Sequence, residues 1–380
     1  MELAFSPSEE IFRQEVRAWL LENVPSNAMP SGDTREGFEA HIDWERRLFD
    51  ARLAVVSWPK EFGGRDASLW EWIIFEEEYY RAGAPQRVTQ NGIFLLAPSI
   101  FQFGTPEQQE RFLPKMASGE ETWCQGWSEP DAGSDLAAVS SRAVRDEAAG
   151  GWRLSGQKTW TTRGAFCTHL FGLFRTDPDA QRHHGLTYLL VPLDTPGVTV
   201  RGFGRLDGDE GFAEVFFEDA FVSDDFVLGE VNSGWGVAMA TAGSERGLTL
   251  RSPGRFTATA DRLLALWREH GDPKDTQLRD AVTQAWIDTE AYRLQTLGVV
   301  TTLSKGGHAG PEASMVKIFW SELDVRLHEL AMRILGPRAE VAETAWAKGW
   351  QFALSGPIYA GTNEIQRNVV AERVLGLPRK

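Results

Sequence analysis

The first stretch of the chain mixes apolar and charged residues at a helical period. Ile11, Phe12, Val16, Trp19 and Leu20 recur one turn apart with Glu15 among them, the pattern of a helix that buries one face. Ser6-Pro7-Ser8-Glu9 supplies an N-cap, a proline at the first helical position and a glutamate at the third, and Pro25 ends the element. Thr105-Pro106-Glu107-Gln108 opens a second helix of the same kind, running into Phe112 and Leu113. These boxes build helices and imply no chemistry. From residue 121 to about 231 the texture becomes short β-prone runs punctuated by glycine, proline and aspartate. Residues 150–156 read as a hairpin, 186–191 as a strand and 213–217 as another. After Gly236 helical patterns return, broken by Gly271-Asp272-Pro273 and Gly306-Gly307. Val282, Trp286, Thr289, Tyr292 and Leu297 suggest one buried stripe; Met315, Ile318, Phe319, Leu323, Leu327 and Leu330 suggest another. The order helical, β, helical, without repeats, predicts an α+β chain with a helical segment over 1–120, a β-domain over 121–233 and a helical bundle over 234–380.

Composition narrows the function. At 380 residues the chain exceeds the size at which one core keeps growing, so more than one subdomain is expected. Its formal charge of −15 opposes general polyanion binding, nucleic acid included, which needs a concentrated basic surface. An anionic coenzyme can still bind through a local arginine. Two cysteines, Cys124 and Cys167, are too few for a disulfide framework or a metal knuckle. Glu9, Glu10, Arg13 and Glu15 interrupt the N-terminal apolar residues, against a secretory signal, and no apolar run is long enough to span a bilayer. A soluble cytoplasmic protein is expected. Neither G-x-G-x-x-G after a strand nor G-x-x-x-x-G-K-[ST] occurs, so the Rossmann and P-loop fingerprints are missing. His183-His184 stand in a polar stretch without a third ligand at helical spacing, which fits a solvated loop rather than a metal site.

Three segments carry more. Trp127-Ser128-Glu129-Pro130-Asp131-Ala132-Gly133-Ser134-Asp135 has the small and acidic residues of a turn. Gly156-Gln157-Lys158-Thr159-Trp160-Thr161-Thr162 follows it, and Pro357-Ile358-Tyr359-Ala360-Gly361-Thr362-Asn363-Glu364-Ile365-Gln366-Arg367 lies near the C-terminus. The first two resemble the T-E-P-x-A-G-S-D and N-G-x-K-x-W-I-T segments of acyl-CoA dehydrogenases. The third resembles that family's signature I-Y-E-G-T-x-x-I-Q-R, and Trp58-Pro59-Lys60-Glu61-Phe62-Gly63-Gly64 extends the likeness toward the N-terminus. The resemblance implies an acyl-CoA dehydrogenase-like fold: N-terminal helical domain, central β-domain, C-terminal four-helix bundle, and FAD at a subunit interface. By matched position it implies FAD contacts from Trp127, Ser128, Ser134, Trp160, Thr162, Thr362 and Glu364. Ser128 would meet the pyrimidine edge, Trp160 would pack on the ring, and Thr162 would hydrogen-bond near N5, steadying the reduced flavin. Substrate contacts implied are Ser134, Tyr359, Ala360 and Arg246, the last toward the CoA portion.

The signature departs from the family at its chemical centre. Ala360 stands where many members carry the glutamate that removes the α-proton, and a methyl group accepts no proton. The backbone N–H that helps polarise the thioester carbonyl is kept. One branch, including isovaleryl and long-chain types, places its base immediately before the CoA-contacting arginine, which here is Glu245 in Gly243-Ser244-Glu245-Arg246. The resemblance therefore implies Glu245 as base, at the start of a long helix; an ordinary solvent-facing helix glutamate is the alternative. The usual R-x-x-F has no match near residues 265–280, and Leu335-Gly336-Pro337-Arg338 replaces the G-G-x-G that cradles the adenosine end. Such changes resemble actinobacterial members that work as heteromers. The expectation is FAD-dependent dehydrogenation of an acyl-CoA, with an electron-transferring flavoprotein as acceptor and a homodimer or homotetramer as the simpler assembly. A partner-dependent or non-catalytic subunit, and a flavoenzyme acting on a carrier-protein thioester or reacting with oxygen, stay open.

Overall fold

A computed structural model describes residues 4–245, 252–307, 310–340 and 344–378. Five helices come first: α1 (Pro7–Asn23), α2 (Arg35–Asp50), α3 (Leu69–Arg81), α4 (Ala97–Phe103) and α5 (Pro106–Ala117). Eight strands follow: β1 (Trp123–Gly126), β2 (Arg142–Asp146), β3 (Gly151–Thr162), β4 (His169–Arg175), β5 (Leu186–Pro192), β6 (Val198–Phe203), β7 (Phe212–Ser223) and β8 (Val227–Leu228). Then come α6 (Gly234–Glu245), α7 (Pro253–His270), α8 (Thr276–Ser304), α9 (Ala313–Leu335), α10 (Ala345–Ala353) and α11 (Asn363–Val369). Both sequence-predicted helix starts form complete capping boxes, Ser6 with Glu9 and Thr105 with Gln108, and Ser68 with Glu71 makes a third. Among the described residues no helix is long and apolar enough to cross a membrane.

The contacts divide the chain into two interleaved units: residues 27–66 with 85–245, and 1–26 with 67–84 and 246–380. The first holds one sheet in the order β6-β7-β3-β2-β4-β5-β8, with β1 added parallel to β4. Its core is formed by Cys124, Leu154, Leu170, Phe174, Leu189, Val191, Val215 and Phe217. Residues 150–156 are not a hairpin in themselves. The hairpin joins β2 to β3, and Gly150, with φ +67°, closes its turn. Gly156 sits at a register shift in β3, where a Cβ would stand 2.4 Å from Ser141 Oγ, so the bulge requires glycine.

The second unit packs α7, α8 and α9 on one another, with α10 and α11 against α9 and α1 against α3. The stripe expected on α8 forms at Val282, Thr289, Tyr292 and Leu297 but not at Trp286. Leu278, Val282, Ala285, Thr289 and Tyr292 form the seam, whereas Trp286 lies 40% exposed. The alternating three- and four-residue step passes through small Ala285, leaving bulky Trp286 rotated outward. On α9, Leu323, Leu327 and Leu330 are buried as expected, but Met315 is exposed and Ile318 and Phe319 are only half-buried. The seam instead takes Lys317, Ser321 and Asp324, each with a partner: Asn363 Oδ1 receives Lys317 Nζ at 2.8 Å and Ser321 Oγ at 3.1 Å, and Arg255 meets Asp324 at 2.9 Å.

Between α1 and α3 lies a second buried ionic knot. Glu78, 2% exposed at its side chain, receives Arg13 at 2.8 Å, Arg17 at 2.8 Å and Arg81 at 3.0 Å. Burial raises its carboxyl, but the arginine hydrogen bonds and charges outweigh burial and hold it below the ordinary carboxylate value. Removing one partner of such a set strands buried charge. Glu78→Ala is expected to lower the free energy of unfolding by about 3–5 kcal/mol, read from urea titration.

Candidate functional site

In the β-rich unit the first two sequence motifs are brought together by a buried ion pair. Lys158 Nζ donates to Glu129 Oε1 at 2.7 Å and to the Leu173 carbonyl at 2.7 Å, and its side chain has no exposure. Glu129 also accepts from the Ser140 amide at 2.7 Å, Ser140 Oγ at 3.0 Å and the Ser141 amide at 3.0 Å. Burial alone would raise the Glu129 carboxyl; Lys158 and these donors overturn that and hold it at about 2. Burial draws the Lys158 ammonium below its ordinary value, and Glu129 opposes the shift. A backbone bond from Thr159 N to Ser128 O, 2.9 Å, completes the joint. Both residues stand inside their motifs, which by themselves give them no role. Lys158 is the one cation in the two motifs, and that was the available signal.

The joint sets the cofactor-facing candidates. Trp160 adopts φ +59° at a register shift in β3 and is 60% exposed, gripped edge-on by Phe203 at 5.3 Å and Phe212 at 5.6 Å. Thr162, half-buried, pairs with Phe212 at the end of the ladder. Trp127 is buried, and its Nε1 finds no hydrogen-bond partner among the described residues. Ser128 is half-buried and Ser134 exposed. An exposed indole face, a half-buried hydroxyl and an orphaned buried donor suit a flat aromatic group with polar edges.

In the helical unit the C-terminal signature is a pinned loop. Ala360 is buried at φ +58°, a left-handed conformation uncommon for a residue with a Cβ. Gln366 Nε2 donates to the Ala360 carbonyl at 3.0 Å, and the Asn363 amide to the Pro357 carbonyl at 2.8 Å. Asn363 in turn is held by Lys317 and Ser321 of α9, while Arg367 reaches Glu322 at 2.7 Å. Thr362 caps α11 by accepting from the Ile365 amide at 3.2 Å, and Tyr359 lies 6.0 Å from the Trp320 ring. Glu364 is exposed on the first turn of α11. Most of Leu335-Gly336-Pro337-Arg338 falls in a 3-10 turn, Gly336–Glu340, with Arg338 Nη1 3.2 Å from His270 Nδ1.

Glu245 is the last described residue of α6 and does not open a helix. The apolar run after Gly236 is already the helix, with its start at Gly234, so the glutamate lies several turns into it. The Glu245 side chain and all of Arg246 lie outside the described residues. His183 and His184 are exposed with rings 4.1 Å apart. Among the described residues no three His, Cys, Asp or Glu side chains group so as to hold a metal ion.

Comparison with known proteins agrees with this architecture. Family profiles for the acyl-CoA dehydrogenase N-terminal, middle and C-terminal domains match residues 6–120, 124–220 and 232–375. The chain is 40% identical over 388 residues to acyl-CoA dehydrogenase IpdE1 of Mycolicibacterium smegmatis, covering 97% of this chain and 98% of that protein. Among solved structures, a Tcur3481-Tcur3483 steroid ACAD superposes with a TM-score of 0.88 at 25% identity, covering 100% of both chains. The ChsE4-ChsE5 complex from Mycobacterium tuberculosis gives 0.84 at 26% identity, again over 100% of both chains. The chain belongs to the acyl-CoA dehydrogenase family. It is accordingly an oxidoreductase whose cofactor is FAD, with helical, β and helical domains in that order.

The Glu129–Lys158 joint has a pH signature. Because the folded carboxyl lies at about 2, below its ordinary 4.5, the stabilisation is complete above about pH 5 and disappears as pH falls from 4.5 through 2. Glu129→Gln is expected to flatten unfolding free energy across that window, and Glu129→Ala to cost about 3–5 kcal/mol at neutral pH, both read by denaturant titration across pH.

Proposed function

We propose that this chain dehydrogenates an acyl-CoA thioester across Cα and Cβ to the trans-2-enoyl-CoA, with Glu245 as the base for the α-proton. The observation that carries this reading is Ala360. Its loop is fastened by Gln366 and Asn363 as the signature requires, its N–H is retained, and only the carboxylate is missing. A family member with that loop kept and its carboxylate absent needs a base from elsewhere. Glu245, directly before Arg246, is the matching position of the branch that supplies one.

FAD supplies the acceptor for the β-hydride. The chain's own groups do the rest: the Ala360 N–H polarises the thioester carbonyl, lowering the α-proton's pKa, and Glu245 takes that proton. Trp127, Ser128, Trp160 and Thr162 would hold the ring, Ser134 would serve the cofactor and the pantetheine, and Thr362 and Glu364 would add the C-terminal cofactor contacts. Tyr359 borders the acyl group and Arg246 the CoA portion. An electron-transferring flavoprotein would take up the reducing equivalents. The free thiols Cys124 and Cys167 fit a reducing, cytoplasmic setting.

A second reading concerns assembly. The segment Gly336–Glu340 ends in charged residues where the family cradles FAD with glycines. This chain also resembles members whose solved forms are a steroid ACAD of two named chains and a ChsE4-ChsE5 complex. Both features support a heteromer in which a partner chain completes the cofactor site, over a homodimer or homotetramer.

Anaerobic bleaching of the flavin by a panel of acyl-CoAs tests the first reading. Glu245→Gln is expected to keep acyl-CoA binding while its bleaching rate falls by about 10²–10⁴. Equal bleaching in both proteins excludes Glu245 as the base. Restoring a carboxylate with Ala360→Glu in the Glu245→Gln background is expected to recover part of the rate. FAD content measured with and without a co-expressed second dehydrogenase-like chain tests the heteromer, which full occupancy of the lone chain would exclude.

A further inference from the structure

We propose that Asp33 is a positioning residue for the flavin-facing end of β3, setting Trp160 and Thr162 through a clamp on Arg163 and Arg205. The inference rests on the reading of Trp160 and Thr162 as cofactor contacts and adds a residue that no motif contains. Asp33 lies in the turn before α2 and is 6% exposed. Each of its carboxylate oxygens takes one guanidinium: Arg163 Nε on Oδ1 at 2.7 Å and Arg205 Nη1 on Oδ2 at 2.9 Å. Arg163 directly follows Thr162. Arg205 belongs to the link between β6 and β7, whose end residues Phe203 and Phe212 grip Trp160.

One carboxylate thus closes both sides of the frame around the exposed indole. Further bonds tie the same pieces together. Ser31 Oγ donates to Asp209 Oδ2 at 2.6 Å, Arg205 Nη2 meets Asp207 at 2.7 Å, and the Arg163 amide donates to the Gly211 carbonyl at 2.9 Å. Arg163 is itself held at φ +57°, so the chain turns sharply just past Thr162 and needs an external hold there. Its Nη1 is buried without a hydrogen-bond partner among the described residues, which leaves Asp33 as the compensation for that cation. The charge on Asp33 is favoured despite burial, because both arginines hold its carboxyl below the ordinary value. Loss of the carboxylate removes the one group that Arg163 and Arg205 share, which unlinks the two sides of the frame around Trp160 and Thr162.

The test uses the full-length protein as wild type, Asp33→Asn, Asp33→Glu and Asp146→Asn. The last breaks the Asp146–Arg153 pair at the opposite end of β3. Amide hydrogen exchange is read over residues 160–164 and 204–212, and FAD affinity by flavin fluorescence. Asp33→Asn is expected to raise exchange in those two segments, and weaken FAD binding, by at least about tenfold, the scale of one lost hydrogen bond to a charged group. The β4–β5 amides and the Asp146→Asn control should stay at wild-type values, and Asp33→Glu should recover part of the affinity. Unchanged protection in both segments overturns the proposal, as does a loss spread evenly over the sheet. If Asp33→Asn does not fold, Arg205→Gln releases one arm alone and is expected to loosen 204–212 while 160–164 keeps most protection; no local change there also overturns it. A wild-type chain that binds no FAD in any assembly contradicts the proposed function, and the clamp is then judged on exchange in the apo chain.

Discussion

An ammonium group with no solvent contact needs acceptors that replace its water, and a carboxylate itself well supplied with donors is a strong one. Lys158 and Glu129 meet that condition in the β-rich unit. Much of that unit's candidate cofactor rim depends on the arrangement. The pair stitches the segment after β1 to the middle of β3. From that point β3 is free to bulge and to turn Trp160 outward. Without the stitch, the residues from 127 to 134 would be a surface turn with no fixed relation to 160 and 162. The hydrophobic core beneath supplies the bulk of the stability, whereas this one polar contact supplies the registration.

Much of this was legible in the sequence. Capping boxes announced α1 and α5 because an N-cap and its reciprocal glutamate or glutamine are local, and local chemistry survives folding unchanged. The change of texture near residue 121 marked where strands begin. The illegible parts share a cause, which is dependence on distant segments. Ala285 replaces Trp286 in the seam of α8, and Lys317 and Asp324 lie buried on α9, because partners far along the chain make room for or neutralise them. The interleaving of residues 1–26, 67–84 and 246–380 into one unit has no local trace at all. Asp33 is a similar case: an aspartate in a turn looks like any other until two arginines more than a hundred residues away close on it.

The C-terminal signature separates two things that a motif runs together. Asn363, Gln366 and Arg367 anchor the loop to itself and to α9, and they are all present. The one exchanged residue, Ala360, takes no part in that anchoring through its side chain. Architecture and chemistry therefore occupy different residues of the same string. This is why a missing carboxylate need not mean a degraded loop.

The seclusion of Lys158 also makes it a chemical sentinel. Amine-directed reagents such as activated esters need a deprotonated, solvent-accessible nitrogen, and in the folded protein this one is saturated by Glu129 and a carbonyl. Labelling at Lys158 can therefore begin only where the sheet has opened. Among the chain's lysines it is one whose acylation records the history of the fold rather than the composition of the surface.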